Sequence, residues 1–268
     1  MDFKKFTNMN REAWNEAMPY HRRGRKINLE EAFKDPNYIV LDPIEQEKLL
    51  KIGLEGKKVV HLCCNNGIEL ISIVRLGANR GVGYDISDEA IREANIFSKI
   101  ARVNCKFFQS DVYDLDSNNT GTFDLLYISV GALSWLPDIP RFFEIAASML
   151  KPNGFIFIYE IHPYTDILGV EGEDGYQQDH PLNPMYSYFK EEPWIDTDGI
   201  DYIGGVKYES KPMVEFSHTI SSILNSLIKA GIEIREFNEY SHDISTNFKD
   251  IEGDKMIPLS YILIGKKM

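Results

Sequence analysis

The feature that most constrains this chain is a regular alternation of short β-branched runs and amphipathic stretches that begins at Lys57. Lys57 to Leu62 reads KKVVHL and predicts a strand, and after a turn IELISIVRLGA has the apolar spacing of a helix. GVGYD, ending at Asp85, predicts a second strand. SDEAIREANIFSKIA follows as a helix capped by Ser87 or Asp88, its early acids suited to the positive helix end. CKFFQSD, FDLLYISV from Phe123 and GFIFIYEI from Gly154 predict three more strands, with the helix IPRFFEIAASML before the last of them. Pro152-Asn153-Gly154 predicts a sharp turn after that helix, Pro stopping it and Gly accepting positive φ.

Such alternation implies a parallel sheet covered by helices on both faces, with right-handed crossovers and ligands at the carboxyl ends of the strands. A helix from His218 (HTISSILNSLIKAGI) and the runs IEIREFNEY and IPLSYILIGKK complete an α/β fold with a doubly wound, mostly parallel seven-stranded sheet. Between residues 163 and 214 the alternation gives way to a stretch rich in Tyr, Gly, Pro and Asp. An insertion of that length and aromatic content predicts an ordered lid over the strand ends. The expected organisation is an N-terminal helical cap over 1–45, a ligand-binding core over 46–162 and 215–268, and the lid over 163–214.

No apolar run approaches the roughly 18 residues that span a bilayer, and the N-terminal stretch lacks the apolar centre of a signal peptide, so a cytoplasmic protein without a membrane partner is expected. Cys63 and Cys64 are adjacent and make no disulfide framework; reduced thiols are expected. A net charge of -12 disfavours nucleic acid, whose binding relies on Lys and Arg displacing counterions. The basic cluster His21-Arg22-Arg23-Gly24-Arg25-Lys26 reads either as a grip on an anion or as a solvated charge run.

After the first strand, the loop from Cys63 to Gly67 turns into a helix whose N-terminus offers free amides to a ligand. Asp85, at the second strand end, is placed to accept hydrogen bonds from ribose hydroxyls, with no basic neighbour for a 2′-phosphate. An ordinary strand-end or capping role is the other reading of Asp85. The missing G-x-G-x-x-G disfavours a dinucleotide and leaves an NAD-dependent oxidoreductase as the second alternative.

Residues 57 to 163 carry, in order, KVVHLCCNNGIELISIVRLGA, GVGYDISDEAI, CKFFQSDVYDL, FDLLYISVGALSWLPDI and SMLKPNGFIFIYEIHP. This series resembles the successive motifs of class I S-adenosylmethionine-dependent methyltransferases. It looks most like a bacterial small-molecule subgroup whose first motif runs H-L-x-C-x-x-G. The resemblance implies S-adenosylmethionine as cofactor, S-adenosylhomocysteine as product, and in-line methyl transfer to an O, N or C atom of a small-molecule acceptor. By that similarity Leu62, Cys63, Cys64, Asn65 and Gly67 face the methionine part, Asp85 the ribose, and Ile86 the adenine face. Asp111 and Val112 meet the adenine amine and ring edge, Ser129 and Gly131 line the sulfonium, and Trp14, Tyr20 and His21 resemble the helical cap over the cofactor. The chain departs from the family where His61 replaces an acid and where Cys63 and Asn65 replace two glycines. His61 then either orients the cofactor carboxylate or is a core histidine. A noncatalytic cofactor-binding protein on a degenerate scaffold is the main alternative.

His61, Cys63 and Cys64 crowd within four residues, unlike the separated ligand pairs of zinc sites, and no metal is expected. If the acceptor is a hydroxyl or a protonated amine, a base must remove its proton. Glu160, His162, His180 and His218 lie in or beside the strand-end and lid segments. His162 is the first choice and Glu160 the second, although a His before Pro163 can simply begin an extended loop. Tyr176, Tyr186, Tyr188, Phe189 and Trp194 read as an aromatic acceptor pocket or as packing.

Overall fold

Alternate residues of the central strands are apolar on both sides, and the computed structural model buries both faces of the sheet they form. It describes residues 3–115, 120–200, 202–253 and 255–268. Positions 1–2, 116–119, 201 and 254, which fall in the expected cap, core and lid, lie outside the described residues.

The strands are β1 (Lys58–Leu62), β2 (Arg80–Asp85), β3 (Cys105–Gln109), β4 (Phe123–Ile128), β5 (Leu150–Ile161), β8 (Ile232–Tyr240) and β9 (Ser260–Lys267), in the order β3-β2-β1-β4-β5-β9-β8. The first five pair in parallel, and β9 is antiparallel to both neighbours. Val60, Leu62, Leu126, Ile128, Ile156 and Ile158 point to one face, against α6 (Ile139–Met149) and α7 (Ile220–Lys229). Val59, Leu125, Tyr127 and Phe157 point to the other, against α4 (Ile68–Arg75) and α5 (Asp88–Ala101). The period of two thus separates two cores, as a doubly wound sheet requires.

The expected turn at Pro152-Asn153-Gly154 is instead part of β5, which starts at Leu150 directly after α6. Asn153, not Gly154, takes the positive φ of 64°, and the β4–β5 register shifts between Phe123 and Leu125. The segment is a bulge that lets the chain leave the helix straight into the ladder.

N-terminally, α1 (Phe3–Gly24) is followed by α2 (Leu29–Ala32) and α3 (Pro43–Ile52). Asp42 caps α3 by accepting from the Glu45 N–H, and α3 straddles the boundary expected at residue 45. Between β5 and α7 the insertion holds a 3-10 turn (Pro163–Ile167) and the antiparallel pair β6 (Trp194–Asp196) and β7 (Met213–Glu215). Its Ile167 and Leu168 bury against Phe248, Ile251 and Leu259. Among the described residues no helix is long and apolar enough to cross a membrane.

Candidate active site

Because β3, β2, β1, β4 and β5 are parallel neighbours, their carboxyl ends bring separated sequence segments into one row. In spatial order the row holds Asp111, Asp85, the Leu62 to Gly67 loop, Ser129 with Gly131, and Glu160. At a strand spacing of ~4.8 Å, the stretch from β3 to β4 is roughly 14 Å long.

The loop after β1 turns through three left-handed residues, Cys63 (φ 56°), Asn65 (φ 46°) and Gly67 (φ 72°). The two residues that depart from the family's glycines therefore keep a backbone conformation that glycine favours. At Gly67 a Cβ would lie 2.3 Å from the Phe107 ring, so only glycine fits against β3. Leu62 and Cys64 are buried and present only backbone to the row, while Cys63 is half-buried. Burial pushes both loop thiols well above their usual range and keeps them neutral.

Asp85 holds this loop. One carboxylate oxygen accepts the Asn65 N–H (2.7 Å) and the other the Ser87 N–H (2.8 Å). Burial nevertheless raises its pKa to about 6, against those N–H groups. Ile86, half-buried beside it, accepts a hydrogen bond from the Gln109 amide at its carbonyl. Asp111 accepts the Tyr113 N–H (3.0 Å) and meets Lys4 of α1 (3.2 Å), while Val112 is buried in the core.

His61 is fully buried. Its Nε2 lies 3.1 Å from the Ser129 hydroxyl, its edge meets Tyr127, and its Nδ1 has no partner. Burial pushes its pKa down to about 3, so the ring is neutral and ties β1 to the loop after β4. A neutral imidazole offers no positive charge to a cofactor carboxylate.

α1 lies across the row. Arg11 pairs with Asp88 (2.8 Å), Arg22 with Glu89 (2.7 Å) and Arg25 with Glu93 (2.5 Å), and Asn66 of the loop donates to the same Glu93 (3.1 Å). The basic cluster is therefore a clamp onto α5, neither an anion grip nor a wholly solvated run. Tyr20, expected at the cofactor, instead stacks on Tyr208 of the insertion (3.9 Å, 7°). His21 is buried with Nε2 2.5 Å from the Ile200 carbonyl, and Trp14 packs edge-on against Trp135.

At its β4–β5 end the row opens into a cavity of about 280 Å³. Gly131, Leu133, Ser134, Glu160 and Tyr261 supply its core side, Asp166, Glu173, Tyr186 and Trp194 its insertion side, and Glu215 to His218 the return to α7. Glu160 accepts N–H groups from Gly131 (2.7 Å), Leu133 (2.8 Å) and Ile161 (3.0 Å), and burial lifts its pKa to about 7. Its oxygens thus shape the loop after β4.

His162 does not line the cavity. Its Nδ1 accepts the Tyr164 N–H (3.0 Å) as cap of the 3-10 turn, and its Nε2, 3.0 Å from Glu239, lies outside hydrogen-bonding geometry. Burial lowers its pKa. The first choice for a base is therefore a turn-capping residue, because His-Pro at a strand end folds back on the backbone. His218 does line the cavity, with Nε2 2.9 Å from the Leu136 carbonyl and its pKa lowered by burial, whereas His180 does not line it. Of the expected aromatic pocket, Tyr186 and Trp194 line the cavity, and Phe189 is exposed.

Sequence reasoning missed Asp166, Glu215 and Tyr261. Burial raises Asp166 to about 6 and Glu215 to about 7, with Asp166 adding to the rise at Glu215. The available signal was an acid kept inside the apolar stretches Tyr164-Thr165-Asp166-Ile167 and Met213-Val214-Glu215-Phe216, where solvation alone does not account for it.

Residues 59–154 match the model of a methyltransferase domain. Over 111 residues the chain is 32% identical to a ubiquinone biosynthesis O-methyltransferase of Cupriavidus pinatubonensis, covering 41% of this chain and 43% of that protein. The chain thus spans less than half the length of the first curated relatives it matches. It is 30% identical over 139 residues to a provisionally named protein N5-glutamine methyltransferase of Methanocaldococcus jannaschii, covering 49% of this chain and 69% of that protein. In fold it is similar to an S-adenosylmethionine-dependent methyltransferase of Mesorhizobium loti, with a TM-score of 0.63 and 20% identity, covering 82% of this chain and 96% of that one.

Proposed function

Because this chain belongs to the S-adenosylmethionine-dependent methyltransferases, we propose that it transfers a methyl group to a small molecule seated in the cavity beneath the insertion. The observation that carries this reading is the position of Gly131, which belongs to the strand-end row and also lines the cavity. When bound, S-adenosylmethionine supplies an electrophilic methyl group on a sulfonium. The chain's own contribution is alignment, exclusion of water and removal of a proton.

In this reading Asp85 holds the ribose hydroxyls, since each of its oxygens accepts one backbone N–H and has a further lone pair. Ile86, Asp111 and Val112 border the adenine, the Leu62 to Gly67 loop borders the methionine part, and Ser129 and Gly131 border the transferred methyl. His61 positions Ser129, and Glu160 positions the Gly131 to Leu133 loop. The H-L-x-C-x-x-G form of the first motif supports assigning the chain to a bacterial small-molecule subgroup. Residues 163–214 act as the lid of the acceptor site and 1–45 as the cap of the cofactor site, with Tyr20 joining the two.

Glu215 takes the role of base first given to His162. Burial lifts its carboxyl to about 7, a value matched to proton transfer near neutral pH, and Asp166 stands beside it as second carboxylate. The relatives are named for methylation at oxygen and at a glutamine nitrogen, and both chemistries need such a base when the acceptor binds protonated.

The test is a calorimetric titration with S-adenosylmethionine, S-adenosylhomocysteine and NAD. Saturable binding of the first two and none of NAD is expected; a folded protein that binds neither overturns the reading.

A further inference from the structure

The lining of the cavity is one-sided in charge. Glu160, Asp166, Glu173 and Glu215 all contribute to its wall, and among the described lining residues none is Lys or Arg. His218 is the only imidazole there among the described residues. With its Nε2–H given to the Leu136 carbonyl and its pKa lowered by burial, it stays neutral.

Two of these carboxylates are already satisfied. Glu160 is saturated by backbone N–H groups, and Glu173 accepts from the Val170 N–H (2.9 Å) and the Tyr186 hydroxyl. Asp166 and Glu215 differ. Asp166 is hydrogen-bonded by Ser217, and Glu215 only loosely by the Ser134 hydroxyl (3.3 Å). Neither has an ion-pair partner among the described residues. Two half-buried carboxylates without a cation are costly, and a positive group between them relieves both desolvation and mutual repulsion.

A second, independent feature points into the same space. Tyr261 is fully buried and its hydroxyl has no partner. It stands directly opposite Glu160 in the β5–β9 ladder, so both side chains leave the sheet on one face, and both line the cavity. A buried hydroxyl without a partner is rare unless a ligand completes it. Around these groups stand Trp194 and Tyr186, edge to face at 4.8 Å, with Phe216 and Phe248. Trp194 donates to Ser217 (3.0 Å), which fixes the ring beside Asp166.

We infer that the acceptor is a small organic amine that enters as its ammonium ion, held by Asp166 and Glu215 among aromatic rings with the Tyr261 hydroxyl completing its hydrogen bonds. This rests on the methyl-transfer reading above. The ammonium N–H bond breaks as its proton passes to the Glu215 carboxylate, which becomes a carboxylic acid. The freed nitrogen lone pair forms the new N–C bond while the sulfonium S–C bond breaks. The products are the methylated ammonium and a neutral thioether, and the Glu215 proton then leaves to solvent.

The experiment titrates the full chain, saturated with S-adenosylhomocysteine, with three probes of near-equal shape: benzylamine, benzyl alcohol and benzoate. Benzylamine is expected to bind at least tenfold more tightly than benzyl alcohol, and benzoate not at all. Asp166→Asn and Glu215→Gln should each erase most of that preference at unchanged S-adenosylhomocysteine affinity, and Tyr261→Phe should weaken benzylamine several-fold. Equal binding of amine and alcohol, preference for benzoate, or binding of none of the three overturns the inference. Failure to saturate with S-adenosylhomocysteine instead removes the methyltransferase reading beneath it.

Discussion

In the strand-end row, Asp85, Asp111 and Glu160 are each gripped by backbone N–H groups, whereas in the cavity Asp166 and Glu215 answer only to the hydroxyls of Ser217 and Ser134. A backbone grip is set by the fold and does not relax. A hydroxyl grip turns with one side-chain torsion and yields to whatever else enters. The first half is therefore suited to a ligand that never varies, and the second to one whose shape and charge select the enzyme's task.

Asp85→Ala removes two charge-assisted bonds from the loop as well as the proposed ribose contact. Affinity for S-adenosylhomocysteine should fall about 100-fold by calorimetry, and unchanged affinity would separate the row from cofactor binding. Glu215→Gln acts on the other half alone. The rate of methyl transfer should drop by about 100-fold, the usual scale for a lost general base, while cofactor affinity stays fixed.

The same variant carries a pH signature. The Glu215 carboxyl, raised to about 7, must be ionised to take a proton, so the wild-type rate should climb as pH rises through that value. Glu215→Gln should flatten that limb, and a limb that persists assigns the proton to another group. Arg11→Ala tests the cover rather than the floor. Its pair with Asp88 is largely exposed, with side chains 42% and 48% accessible. Cofactor affinity should weaken only about two- to five-fold, with the difference vanishing in high salt. Smallest of all, Cys63→Gly should leave Tm within about 2 °C, since relief at φ 56° offsets the added chain entropy and lost packing. A collapse of cofactor binding in that variant would show that the thiol, not the backbone turn, is what the loop supplies.

The halves also differ in how far the sequence discloses them. Asp85 and Asp111 were legible because each follows a run of strand periodicity, and a parallel sheet sends every such end to the same edge. Glu160 was legible in place but not in action, since its hydrogen bonds reach back to Gly131 and Leu133, nearly thirty residues earlier. Asp166, Glu215 and Tyr261 converge from a 3-10 turn, a three-residue strand and the antiparallel β9. No local pattern links them, and only the Glu160–Tyr261 pairing in the ladder brings that hydroxyl to the cavity. The bulge at Asn153 was misread for a related reason. Pro-Asn-Gly is turn chemistry locally, and pairing with β4 overrode it.

The seam at Gly131 has an evolutionary consequence. The wall of the cavity is shared between strand ends proposed to hold the cofactor and an insertion that returns to the core at α7 without contributing to the central sheet. Changes at Glu173, Tyr186 or Trp194 can accumulate without disturbing Asp85 or the Cys63 to Gly67 loop. A lineage with this architecture can drift from one acceptor to another by exchanging some fifty residues, while the inherited grip on the methyl donor stays as it was.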